Sequence, residues 1–260
     1  MKKKLIEKGY VKIGTNNFKK ISNNKYKILN SKGISSYDWT TGDNPSKEEE
    51  SKMCSFIFNN NLQILKKQSA ESLEKSFSRD LYMMSDTGED ANLLAKHFID
   101  GKGDLYIFTT GSNIVNEIKN STQFLTFKEK LLKKLQSEIG DGSLKKEKKD
   151  GTYEILTIND ISLPSYGLSD AVGKNDDAAT FVGGLQLCII EYELYKEDDQ
   201  YIVYIIKYMF YDTFGAGWDD ACETKKSFLS SGLVSMFVLQ HYKNIAMPNK
   251  YQPFVVAIVF

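Results

Sequence analysis

The densest group of residues able to do chemistry is Tyr211–Asp220, YDTFGAGWDD. Asp212 closes a long apolar run, Gly215 and Gly217 permit tight turns and close backbone approach, and Asp219 and Asp220 follow at once. Carboxylates grouped in this way can share general acid and base work or ligate a hard cation. Asp212, Asp219 and Asp220 are therefore candidate catalytic residues. The cofactor is unknown from the residues, a divalent metal being the one such a set would hold. The same segment also reads as a glycine-rich turn whose Asp219 and Asp220 cap the next helix. It does not match an EF-hand, which needs alternating oxygen ligands and a distal Glu.

Only two histidines accompany these acids. His241, in FVLQHY, stands near the aspartate-bearing turn in sequence, and an Asp212–His241 base would form if both faced one cleft. His241 is the fourth candidate catalytic residue, while His97, in LLAKHF, reads as structural. A second acidic loop, Asp86-Thr87-Gly88-Glu89-Asp90, precedes a helix and reads as a cap or as a contribution to a metal site. The metal-ligand candidates are Asp86, Asp212 and Asp219. FTTGSN is not a nucleophile elbow, and phosphate-loop and dinucleotide fingerprints are absent.

These side chains need a scaffold, and the composition bounds it. The 260 residues carry 34 Lys plus Arg against 34 Asp plus Glu, so no basic surplus is available for phosphate contacts, which argues against nucleic acid as a partner. Arg79 is the one arginine, so a bidentate guanidinium clamp on an anion is nearly unavailable. Fifteen Phe and fifteen Tyr supply ample core material. No apolar run reaches the ~20 residues that span a bilayer, so no transmembrane segment is expected. The start MKKKLIEKGYV is basic, but no apolar region follows it, which argues against a secretory signal. Cys54, Cys188 and Cys222, odd in number and widely spaced, predict no disulfide framework and no zinc site. Cys188, within LQLCII, reads as a buried thiol.

Along the chain, residues 1–45 read as a Lys/Asn-rich extension with short strands at YVKI and KYKIL, and 46–260 as a single α+β domain. Ser46 with Glu49 predicts a capping box opening helix from 46 to 80, with Ile57, Leu62, Ile64 and Leu65 at helical spacing. Helices are expected at 89–100, 113–139 and 225–242, and a charged loop at 140–152. EILTI, FVGGLQLCIIEYELY, QYIVYIIKYMFYDTF and YQPFVVAIVF read as strands, with a hairpin turn at Glu197–Gln200. N-terminal helices followed by a mainly antiparallel sheet, with a late helix packed on it, give the class α+β.

Five ordered segments, DLYMMSDTGED, FTTGSN, LPSYGLSD, YDTFGAGWDD with LVSMFVLQHY, and YQPFVVAIVF, resemble a bacterial family known as a domain of unknown function. That family carries a Tyr/Trp-Asp-x-Phe-Gly segment, a Phe-x-Leu-Gln-His-Tyr helix and a terminal Pro-Phe strand. The resemblance covers about residues 80–260 and falls on Asp86, Gly111, Asp212, Phe214, Gly215, Gln240, His241 and Phe254. This chain departs where the family commonly has His after Tyr-Asp and Leu-Asp after Phe-Gly: here stand Thr213 and Ala216-Gly217. The resemblance implies type VI secretion and polymorphic-toxin surroundings. It thus implies an antibacterial effector made in the cytoplasm and exported without a signal peptide, with a cognate immunity protein and a secretion-apparatus component as partners. Hydrolysis of a cell-envelope or other polymeric substrate is the first expectation. The alternatives are a non-enzymatic binding or membrane-perturbing domain, or a cytoplasmic partner protein.

Overall fold

The computed structural model describes residues 4–85, 88–101, 103–140, 156–166, 177–178, 182–198, 200–222, 230–245 and 250–260. The described residues form an α+β fold with eight helices and eight strands. Strands β1 (Lys4–Ile13), β4 (Tyr106–Phe108), β5 (Leu156–Ile158), β6 (Leu187–Glu197), β7 (Gln200–Phe214) and β8 (Phe254–Val259) build one sheet in the order β4-β8-β7-β6-β1-β5. Its centre is antiparallel (β1/β6, β6/β7, β7/β8), and its two short edges, β4 and β5, are parallel additions. Strands β2 (Asn17–Ser22) and β3 (Lys25–Leu29) form a separate hairpin.

The boundary expected at residue 45 does not divide the structure. The strand expected at YVKI is the end of β1, which lies inside the main sheet between β6 and β5 with Val11 and Ile13 fully buried. Lys12 stands between the buried Val11 and Ile13 and Lys4 and Lys8 precede them, so a composition rich in Lys hides a core strand. The hairpin β2–β3 likewise covers the sheet: Phe18 stacks on Tyr26 and meets Tyr211 at 4.7 Å, and Ile28 clusters with Trp39 and Val255.

The helices are α1 (Lys47–Met53), α2 (Phe56–Leu65), α3 (Ala70–Met84), α4 (Glu89–Ile99), α5 (Asn113–Asn120), α6 (Thr122–Gly140), α7 (Trp218–Cys222) and α8 (Ser230–His241). The Ser46–Glu49 capping box is present. The single helix expected over 46–80 is three, because Ser55 and Ser69 are N-cap positions in extended conformation that restart the chain. The restart also rotates α2: Leu62 and Leu65 are buried, whereas Ile57 and Ile64 face solvent. Helix α8 lies against α3, α2 and α7 and is buried on every side from Val234 to His241, the pattern of a central helix.

Phe210 and Tyr208 meet Phe124, and Phe214 meets Phe77, Phe98 and Phe254, so the aromatic residues join the helical layer to β7 and β8. The β6–β7 hairpin closes where predicted, with Glu197 opposite Gln200 and Asp198 at φ 53°. Cys188 is buried as expected. The cysteine expectation fails elsewhere: Cys54 and Cys222, 168 residues apart, lie with Cα atoms 4.7 Å apart and form a disulfide. Spacing along a chain does not report distance in the fold, and Cα separations of 4.4–6.8 Å suit the bond. The bridge fastens α7 to the junction of α1 and α2.

Candidate functional site

The chemistry gathers where β7 ends. The strand carries Asp212, the chain turns through Gly215–Gly217, and α7 begins at Trp218. Opposite this turn lies the one-turn 3-10 helix Tyr37–Trp39 with the loop after it. Carboxylate oxygens of Asp38, Asp219 and Asp220 come within 4.8 Å of one another. Asp219 is exposed, while Asp38 and Asp220 are half-buried. Asp220 also accepts from the Gly217 amide at 2.9 Å, as a carboxylate at the third helical position does. The capping expectation for this residue is met alongside the clustering.

Both glycines of the turn are required by close approach. A Cβ at Gly215 would collide with the Asp38 carbonyl, and one at Gly217 would collide with the Asp38 and Asp219 carboxylates. The backbone of Gly217 therefore lies directly against two of the three acids.

Two side chains hold the two loops together, and both come from α8. The Gln240 amide nitrogen donates to the carbonyls of Asp38 and Thr40, each at 2.8 Å, while its oxygen accepts from the Ala216 amide at 3.0 Å. Gly42 and Asn44 donate backbone bonds to the carbonyls of Gln240 and His241. His241 is fully buried. Its Nδ1 lies 2.7 Å from Asp43 Oδ1 and its Nε2 2.7 Å from the Ala216 carbonyl, and Tyr37 stacks on the ring at 4.6 Å. Both ring nitrogens are thus committed, and His241 has no free nitrogen to serve as a base toward Asp212. The expected Asp212–His241 base is not what the geometry supplies. His241 is a buried brace between the Asp43 loop and the turn after β7.

The electrostatics vary across the site. Asp212 is buried, and desolvation raises its carboxyl well above the usual aspartate range, with the charges of Asp38 and Asp220 adding to the effect. Asp38 is raised as well, by burial and by the Asp219 charge. Burial also acts to raise Asp43, but hydrogen bonds from Tyr37 and His241 outweigh it and hold that carboxyl low. The site thus grades from a buried acid that favours its proton to an exposed carboxylate at Asp219. Such a set can donate and accept protons, and its three clustered carboxylates have the hard-oxygen chemistry that suits a divalent cation.

Of the sequence candidates, Asp219 and Asp220 are brought together, Asp212 interacts electrostatically with Asp38 and Asp220, and His241 serves the scaffold. Asp86 lies outside the described residues. His97 Nε2 donates to the Asp104 carbonyl, 2.7 Å away, and the ring packs edge-on against Phe254, in keeping with a structural role. Asp90 caps α5, accepting from the Ile114 amide at 3.0 Å. The residues that sequence reasoning missed are Asp38 and Asp43. Their signal was Tyr37 and Trp39, two large aromatic residues flanking Asp38 in an otherwise polar run. Comparison with protein-family models, with curated proteins and with solved structures found no match to this chain.

Proposed function

We propose that this chain is an antibacterial effector whose working centre is the Asp38–Asp219–Asp220 carboxylate cluster, acting on a polymeric substrate by hydrolysis. The observation that carries the reading is the convergence within 4.8 Å of three carboxylates from two segments distant in sequence. Acids this close repel one another unless a proton or a cation lies among them. A divalent ion held by these residues would polarise a scissile bond or acidify a bound water. Asp212, buried at the end of β7, favours its neutral form and feels the charges of Asp38 and Asp220. The likeness of YDTFG and FVLQHY to a family from secretion and toxin loci supports delivery by contact, with a cognate immunity protein as partner.

Expression in a bacterial host, directed separately to cytoplasm and periplasm, tests this. Growth arrest in one compartment, relieved by Asp219→Asn or Asp38→Asn, is the expected result. A harmless wild type in both compartments, or full toxicity of both variants, removes the hydrolytic reading.

A second reading has its own support. Gln240 and His241, the centre of the FVLQHY segment, are wholly engaged in bonding loops to one another. Under this reading the segment determines fold, and the domain works by binding. Membrane depolarisation without release of a hydrolysis product favours it.

A further inference from the structure

We infer that the Cys54–Cys222 bridge is a redox latch on the carboxylate cluster: closed, it fastens α7 so that Asp219 and Asp220 meet Asp38, and reduced, it lets them part. The latch bears on activity only through the centre proposed for Asp38, Asp219 and Asp220. Side chains of α8 fix the chain just before α7. Gln240 accepts from the Ala216 amide, and His241 Nε2 lies 2.7 Å from the Ala216 carbonyl. The bridge fixes the last residue of α7, Cys222. Between these two fastenings lie Asp219 and Asp220, on a helix of five residues that is too short to persist on its own hydrogen bonds.

The other sulfur stands on a firm post. Cys54 caps α1, and its amide donates to the Glu50 carbonyl at 2.9 Å. The buried Glu50 carboxylate is gripped by Tyr242, Lys66 and Gln63. Asp38 lies sixteen residues before Cys54, and Asp220 lies two before Cys222. The bridge therefore joins the two segments that supply the acids by a covalent route far shorter than the backbone between them. Like charges this close push those segments apart. Freeing the far end of α7 lets Asp219 and Asp220 withdraw from Asp38.

Closing the latch passes two electrons and two protons from the Cys54 and Cys222 thiols to a partner disulfide, which leaves as two thiols. A thiol reductant reverses the exchange through a mixed disulfide at one of the two sulfurs. A chain kept reduced by cytosolic thiols would hold its acids apart, and one that reaches an oxidising compartment would gather them. For a hydrolytic effector that order spares the cell that makes it.

Two measurements on the full chain, oxidised and then reduced with a phosphine under nitrogen, test the latch: metal-free amide NMR and a separate Mn²⁺ titration. On reduction the amides of Gly217 and Ala221, both hydrogen-bonded within this segment, should shift or broaden while those of β6 keep their places. Mn²⁺ affinity should fall about tenfold, the lower end of what a lost supporting contact costs a metal site. Cys54→Ser should match the reduced chain in either buffer, and Cys188→Ala, which leaves the bridge intact, should keep the response. Unmoved Gly217 and Ala221 resonances overturn the latch, as does Mn²⁺ binding that is measurable and equal in the two states. Collapse of the β6 resonances also overturns it, since the bridge would then prop the whole fold rather than α7. Resonances at Gly217 and Ala221 that respond to reduction, with no Mn²⁺ bound in either state, uphold the latch and remove the cation centre instead.

Discussion

Replacing Gln240 with leucine keeps the volume of the side chain and removes its three hydrogen bonds. The Ala216 amide and the carbonyls of Asp38 and Thr40 then lose their partner. Gln240 itself is fully buried, and the Ala216 bond is buried with it, while the other two bonds are only part-buried. An orphaned buried group costs about 1–3 kcal/mol, and a partly wetted one less. The expected loss is about 3–4 kcal/mol, with a urea midpoint lowered by roughly 1–2 M at the slopes usual for small proteins. Gln240→Glu should be worse near neutral pH, because its carboxylate would face two carbonyl oxygens, and should recover partly in acid. Urea unfolding followed by far-ultraviolet dichroism reads both. Limited proteolysis should show cleavage first within residues 37–44, the loop that Gln240 holds. A Gln240→Leu protein within 1 kcal/mol of wild type, or one cleaved no faster in that loop, refutes the bracing role.

Other perturbations separate the contributions of neighbouring groups. Burial raises the Asp212 carboxyl above its unfolded value, so the folded state binds the extra proton and stability falls as pH climbs from the unfolded toward the folded pKa. Asp212→Asn should therefore gain on wild type between pH 4 and pH 7, and parallel stability curves would count against this. Buried Glu50 accepts from Tyr242 at 2.5 Å and from Lys66 at 2.6 Å. Loss of one such bond to a charged group predicts about 1.5–3 kcal/mol for Tyr242→Phe by chemical denaturation; no change would mean that the bond is not formed. Cys222→Ser opens a loop of 168 residues and should lower stability by about 2–5 kcal/mol in oxidising buffer, with the difference gone under reductant. Equal stability in both buffers would contradict the bridge.

Much of the frame was legible because its signals are local. The Ser46–Glu49 box, the Glu197–Gln200 turn and the β-branched runs of β6, β7 and β8 each depend on residues adjacent in sequence. What escaped depends on distance in space. Lys12 and its neighbours gave β1 the look of an extension, although Val11 and Ile13 alternate into the core. Ile57 and Ile64 had helical spacing, but the phase of α2 was set by breaks at Ser55 and Ser69. At the site, Asp219 and Asp220 were visible as a pair, whereas Asp38 stands far earlier in the chain and meets them through contacts that only the fold creates, among them the Gln240 and His241 bonds. His241 suggested a base because the aspartate-bearing turn lies near it in sequence. Its actual partners, Asp43 and the Ala216 carbonyl, show it to be a brace.

Titration with Mn²⁺, followed by electron paramagnetic resonance of the free ion, tests the carboxylate cluster most directly. One ion per chain is expected, with a dissociation constant on the order of 0.1 mM as for weak carboxylate sites, weakened at least tenfold by Asp38→Asn and by Asp219→Asn, and little altered by Glu71→Gln on the exposed face of α3. Free Mn²⁺ that remains undiminished at millimolar concentration, or binding that both aspartate variants retain, contradicts the assignment of Asp38, Asp219 and Asp220 as a cation-holding centre.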